Sequence, residues 1–130
     1  MNFKLSTKEK FHEININESV LSANLTADFY ETIAAFAQKA PFNTILNFKD
    51  VNEVDEVIAN QLVELHQLFY STDYSFVVTE IQKPVIAFLQ SANIAEDLNI
   101  TPTLSEAWDI VQMEEVEREL MRDFDDMDEA

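Results

Sequence analysis

The chain has 130 residues, 47% of them hydrophobic, enough for one buried core and too few for two ordinary domains. Its 25 Asp plus Glu against 8 Lys plus Arg give a net charge of −17, and the lysines are scattered, so phosphate backbones and anionic bilayers are repelled. The absence of Cys excludes disulfides, zinc-thiolate sites and thiol nucleophiles, and the absence of Gly excludes glycine-rich phosphate loops, nucleophile elbows and dinucleotide fingerprints.

Phe3, Leu5 and Thr7 alternate with polar residues, Lys8-Glu9-Lys10 make a charged turn, and residues 11–16 resume alternation with His12, Ile14 and Ile16 on one face. This pattern predicts a β-hairpin. Residues 21–25 form a connector, and Thr26 is placed to cap a helix to about Ala40, with Phe29, Ile33, Phe36 and Ala40 at helical spacing until Pro41 stops it. Residues 44–48 are the nearly continuous apolar run of a strand buried on both faces, and an acidic loop from Asp50 to Asp55 follows it. From Glu56 to Tyr70, Ile58, Leu62, Leu65 and Phe69 trace an inward stripe, with Asn60, Gln61, Glu64 and Gln67 opposite.

Residues 74–79 give another buried strand, and Pro84 suits the first turn of a helix through Ala92. With no glycine available, asparagine is the expected residue wherever the backbone needs positive φ, and Asn93 fits a helix C-terminus. Ile100-Thr101-Pro102 reads as a short edge strand. Thr103-Leu104-Ser105-Glu106 is a capping box opening a last helix whose inward stripe is Leu104, Ala107, Trp108 and Val111. Glu114, Glu115, Glu117, Arg118 and Glu119 extend that helix with Val116 and Leu120 at i, i+4; the extension fits a partner, the chain's own sheet edge or a fraying end equally. Residues 121–130 read as an acidic, disordered tail and residues 1–120 as one α/β domain with a mixed four- or five-stranded sheet and helices mainly on one side.

Chemistry-bearing residues are few. Asp55 and Glu56 stand at a helix N-terminus, where free N–H groups favour negative charge. His12 and His66 assemble into no triad or metal pair, and His66 reads as a partly buried ring beside the apolar stripe. Asp50, Glu53, Asp55 and Glu56 fit no calcium loop and read as a solvated acidic segment. No cofactor or metal is expected. The N-terminal stretch has no apolar signal core and no run approaches a membrane span, so a cytoplasmic protein is expected.

The order of elements and three motifs resemble the STAS domain family, the fold of bacterial anti-sigma factor antagonists, over roughly residues 2–115. Leu21-Ser22-Ala23-Asn24-Leu25-Thr26-Ala27-Asp28-Phe29 is similar to the family's Leu-Asp segment, with Ser22 where Asp is usual. Val51-Asn52-Glu53-Val54-Asp55-Glu56-Val57-Ile58 is similar to its Asp-Ser-Ser-Gly phosphorylation loop, and Ile100-Thr101-Pro102-Thr103-Leu104-Ser105-Glu106-Ala107 to its Pro-Thr and Glu-Ala ending. The resemblance puts Glu56 at the phosphorylated position and Ile58 at the following glycine. It implies a non-enzymatic switch whose protein partner is a kinase-type anti-sigma factor, bound through Ser22, Asn52, Glu53, Asp55, Glu56, Val57, Asn60 and Gln61. Two alternatives accompany it: a constitutive subunit or scaffold of a larger assembly, and a small-ligand or nucleotide sensor.

Overall fold

A computed structural model describes residues 1–128, the side chains at 23, 26 and 124–128 excepted. Strands β1 (Phe3–Thr7) and β2 (Phe11–Ile16) form the expected hairpin, paired antiparallel from Phe3↔Ile16 to Thr7↔His12. Strands β4 (Asn43–Asn47), β6 (Phe76–Thr79) and β7 (Ile100–Thr101) add in parallel, giving a mixed five-stranded sheet in the order β1-β2-β4-β6-β7. β4 and β6 are buried at every position because helices cover both faces of the centre.

Helices α1 (Thr26–Ala34), α2 (Glu56–Ser71) and α3 (Lys83–Ser91) cover one face. The core there joins Ile14, Ile16 and Leu46 of the sheet to Phe29, Ile33, Ile58, Leu62, Leu65, Phe69, Val85 and Leu89 of the helices. Alternate strand residues Phe11, Ile45 and Val77 point the other way and meet Ala107 and Val111 of α4 (Leu104–Asp128). The period-2 alternation of β2 is thus read out as two cores on opposite faces, the larger under three helices and the smaller under one.

Helix ends follow local chemistry. Thr103 Oγ1 accepts from Glu106 N at 3.2 Å, the backbone half of the expected capping box. Asn93 takes φ 59° after α3, with its N–H donating to Gln90 O and Ile94 N–H to Leu89 O, which is a Schellman ending. Asp73 closes α2 in the same way at φ 65°, and Glu80 has φ 56°, so acidic residues share the positive-φ positions that asparagine alone was expected to fill.

Two expectations along the first helix are corrected. α1 ends at Ala34 and tightens into a 3₁₀ turn over Ala35–Gln38, which leaves Ala40 exposed instead of on the core stripe. Thr26 is the first helical residue and Leu25 precedes it as the cap position, with no side-chain cap bond; the Thr26 side chain lies outside the described residues. α4 runs past residue 120, where the tail was expected to begin, and residues 129–130 lie outside the described residues.

Candidate functional site

The acidic loop stands beyond the C-terminal ends of β4 and β6, the end of a parallel sheet at which strand-to-helix connections gather. Its first anchor is Asn47, the last residue of β4, whose buried side chain donates to Glu13 and Glu80 carboxylates and accepts from Lys49 N at 3.0 Å. Asp50 is tied across the loop by Asn17 Nδ2 at 3.1 Å. Val51 and Val54 are buried, so the loop is pinned from below by two apolar side chains and rises into solvent between them.

A second, two-stranded parallel pair, β3 (Val20–Leu21) with β5 (Glu53–Val54), locks this loop to the connector before α1. Val20 pairs with Glu53 and Leu21 with Val54, while Asn52 N and Glu53 N both donate to Ser19 O and Asp55 N donates to Leu21 O at 3.0 Å. Asn52 Nδ2 adds a bond to Ser19 Oγ at 2.7 Å. The pairing joins residues that lie 33 positions apart in sequence. Sequence reading missed this pair and with it Ser19 and the exposed Val20, because two-residue strands carry no periodicity to detect.

Asp55 is the N-cap of α2: its Oδ1 accepts from Ile58 N at 2.9 Å, which satisfies one of the free donors of the first turn. Glu56 and Val57 follow on that turn, both exposed, and Asn60 continues the exposed strip one turn further. Ile58 is fully buried in the main core and fixes the turn from beneath. Gln61 departs from the expected outer face: it is partly buried, and its Oε1 is enclosed without a hydrogen-bond partner. Ser22 is partly buried, with its backbone oxygen taken by Leu25 N at 2.9 Å.

Next to the capped turn lies an open cleft of about 610 Å³ lined by Asn52, Glu53, Asp55 and Glu56 on one side and Pro84, Val85 and Phe88 of α3 on the other. Pro84 and Phe88 are an i, i+4 pair on α3, a spacing that was visible in the sequence but read there only as a helix start. The walls combine carboxylates with an apolar ledge and hold no cation. Such a surface suits a protein segment and offers nothing to an anionic small ligand. Among the described residues no group of three or more His, Asp or Glu stands close enough to hold a metal ion, and no helix is long and apolar enough to cross a membrane.

A polar cluster occupies the opposite end of the sheet. Tyr70 OH donates to Glu114 Oε1 at 2.7 Å, Asn99 Nδ2 donates to Tyr70 OH, and Ser75 Oγ donates to the same Glu114 oxygen at 2.6 Å. Burial, reinforced by the Glu114 carboxylate, pushes the Tyr70 phenol well above its ordinary range. His66 lies against Tyr70, ring centroids 4.4 Å apart and tilted by 33°, with its Nδ1 enclosed and unpartnered; burial lowers its pKa against the opposing pull of Glu114 and Asp97. Its reading as a partly buried ring beside the apolar stripe matches its place here.

A five-stranded mixed sheet with a leading hairpin, a capped acidic loop beyond its C-terminal edge and a last helix on the reverse face define an α/β domain of the STAS class. The family model for the STAS domain matches residues 4–107, and the chain belongs to that family. Solved structures agree on the fold. A candidate anti-sigma factor antagonist from Thermotoga maritima has 19% identity and a TM-score of 0.73, covering 85% of this chain and 94% of its own. A serine-to-glutamate variant of RsbS from Moorella thermoacetica has 17% identity and a TM-score of 0.66, covering 86% and 96%. The phosphorylated form of the Bacillus cell fate determinant SpoIIAA has 16% identity and a TM-score of 0.61, covering 85% and 99%. No curated protein matches the sequence.

Proposed function

We propose that this STAS domain is a non-enzymatic protein-binding regulator of the anti-sigma factor antagonist type that works outside phosphorylation control. Its recognition face is the one built from Ser22, Asn52, Glu53, Asp55, Glu56, Val57, Asn60 and Gln61, with a kinase-type anti-sigma factor as the partner class. The observation that carries the reading is the first turn of α2. With the family's Asp-Ser-Ser-Gly motif set on residues 55–58, its two serine positions fall on Glu56 and Val57, both exposed and neither bearing a hydroxyl. A kinase finds no acceptor there. Glu56 carries about one negative charge where phosphoserine carries roughly 1.5 to 2, so it is a partial and permanent stand-in for the modified state.

Ile58, buried where the family has glycine, supports the same conclusion, since it commits this turn to the core. The second reading, a constitutive assembly subunit, draws on these same substitutions. Calorimetric titration of a purified kinase-type anti-sigma factor tests the face itself. Wild type is expected to bind, Val57→Arg to weaken binding at least about tenfold, and Lys8→Ala on the distant hairpin turn to change nothing. Absence of binding, or equal binding by Val57→Arg, overturns the proposal.

A further inference from the structure

α4 changes polarity part-way along its length. Up to Val111 it is an ordinary amphipathic helix, with Leu104, Ala107, Trp108 and Val111 against the sheet. Beyond that point the side chains that face the body are charged. Glu115 accepts from Asn43 Nδ2 at 2.6 Å and lies 3.4 Å from Lys10 Nζ, Glu114 takes Tyr70 and Ser75, and Arg118 Nη2 donates to Ser75 Oγ at 2.8 Å. The apolar residues of the same stretch stand outside: Met113, Val116 and Leu120 are 57%, 53% and 53% exposed.

At about 100° per residue these three fall within about 60° of one another and roughly opposite the body-facing set. They form a stripe about 10 Å long. A helix that sets Glu114, Glu115 and Arg118 against the body and its methionine, valine and leucine side chains outside is arranged for a partner on its outer face and not for solvent.

Charge decides what that partner is. The stripe is flanked by exposed Glu117, Glu119 and Asp123, with exposed Asp109 in line at its N-terminal end, while the chain's two arginines, Arg118 and Arg122, stand on the other side of the helix. A second copy would bring the same acidic rim, and a net −17, against itself. We propose that the outer face of α4 is a docking surface for a basic amphipathic helix of a partner protein, one that lays an apolar stripe on Met113, Val116 and Leu120 and sets Lys or Arg against the flanking carboxylates. This surface lies on the reverse side of the sheet from α2 and its capped loop, so both faces can be occupied together.

The probe is a synthetic peptide of about three heptads with leucine at a and d and lysine at e and g, compared with a shuffled peptide of identical composition. Binding to the full chain is followed by fluorescence anisotropy at two salt concentrations. The ordered peptide is expected to bind at least about tenfold tighter than the shuffled one, more weakly at high salt, and the Val116→Ser plus Leu120→Ser double variant to abolish the difference. Both positions are exposed, so the variant keeps its fold, checked by its Trp108 circular dichroism. Equal binding of the two peptides, or binding of neither, overturns the proposal. So does a homodimer in sedimentation equilibrium that the double variant abolishes, because the occupant is then a second copy.

Discussion

Ile58→Gly restores the residue that the family places after its phosphorylatable pair, and the structure makes it a costly change. Ile58 is fully buried in the main core among the α1, α2 and sheet side chains, and its own N–H is the donor held by Asp55. Removing a buried isoleucine down to alanine costs about 2–5 kcal/mol, and going on to glycine in a helix adds about 1 kcal/mol, so the expected loss is roughly 3–6 kcal/mol. A domain of this size has about 5–15 kcal/mol in total. Urea denaturation followed by circular dichroism should show the midpoint fall by about 1.5–3 M at an m-value near 2 kcal/mol/M, with Ile58→Val losing only about 0.5–1.5 kcal/mol. A loss below about 1 kcal/mol for Ile58→Gly would mean that the side chain does not anchor the core and that the anchored first turn described above is wrong.

Three further outcomes follow from the same structure. Asp55→Ala should cost about 1 kcal/mol by losing the cap bond to Ile58 N, lowering Tm by roughly 3–5 °C in calorimetry, whereas Asp55→Asn, which keeps an acceptor, should recover most of it. His66 has its pKa lowered in the folded chain, so the unfolded chain binds its proton first; stability therefore falls as pH drops below about 6.5, and His66→Gln should flatten that part of the urea-midpoint profile. An unchanged profile would show that His66 titrates freely. Ultraviolet titration should find Tyr70 ionising above the ordinary tyrosine range; in Glu114→Gln burial still opposes ionisation, but the carboxylate's contribution is gone and Tyr70 should titrate earlier.

The legible parts of the fold are those with a period. The hairpin, the all-buried runs of β4 and β6, the α2 stripe and the Thr103 box are each written in spacing or in one short-range bond, and each stands where the spacing puts it. The parts that escaped depend on tertiary context. The β3–β5 pair exists because the loop after β4 is folded back on the connector by Val51 and Val54, and no local signal encodes a partner 33 residues away. The site was half legible: the capped turn with Asp55, Glu56 and Val57 is local, while the contributions of Ser19 and Phe88 needed the sheet and α3 to bring them in. Gln61 sits at the border of the stripe, where polarity alone misplaces it.

The inverted stretch of α4 shows the opposite lesson. Val116 and Leu120 were visible as an i, i+4 pair, but ordinary amphipathic logic would turn them toward the sheet, and the satisfaction of Asn43, Ser75 and Tyr70 by Glu114, Glu115 and Arg118 turns them out.

Phosphate transfer bears on the functional reading without intermediaries. Wild type, Glu56→Ser and Val57→Ser are each incubated with a kinase-type anti-sigma factor and ATP, and both complex formation and phosphate on the α2 first turn are measured by pull-down and mass spectrometry. A wild-type complex that ATP does not disturb and that carries no phosphate, together with ATP-driven phosphorylation and release of one serine variant, is the expected pattern. Phosphate on the wild-type chain accompanied by release, or no complex with any of the three proteins, contradicts it.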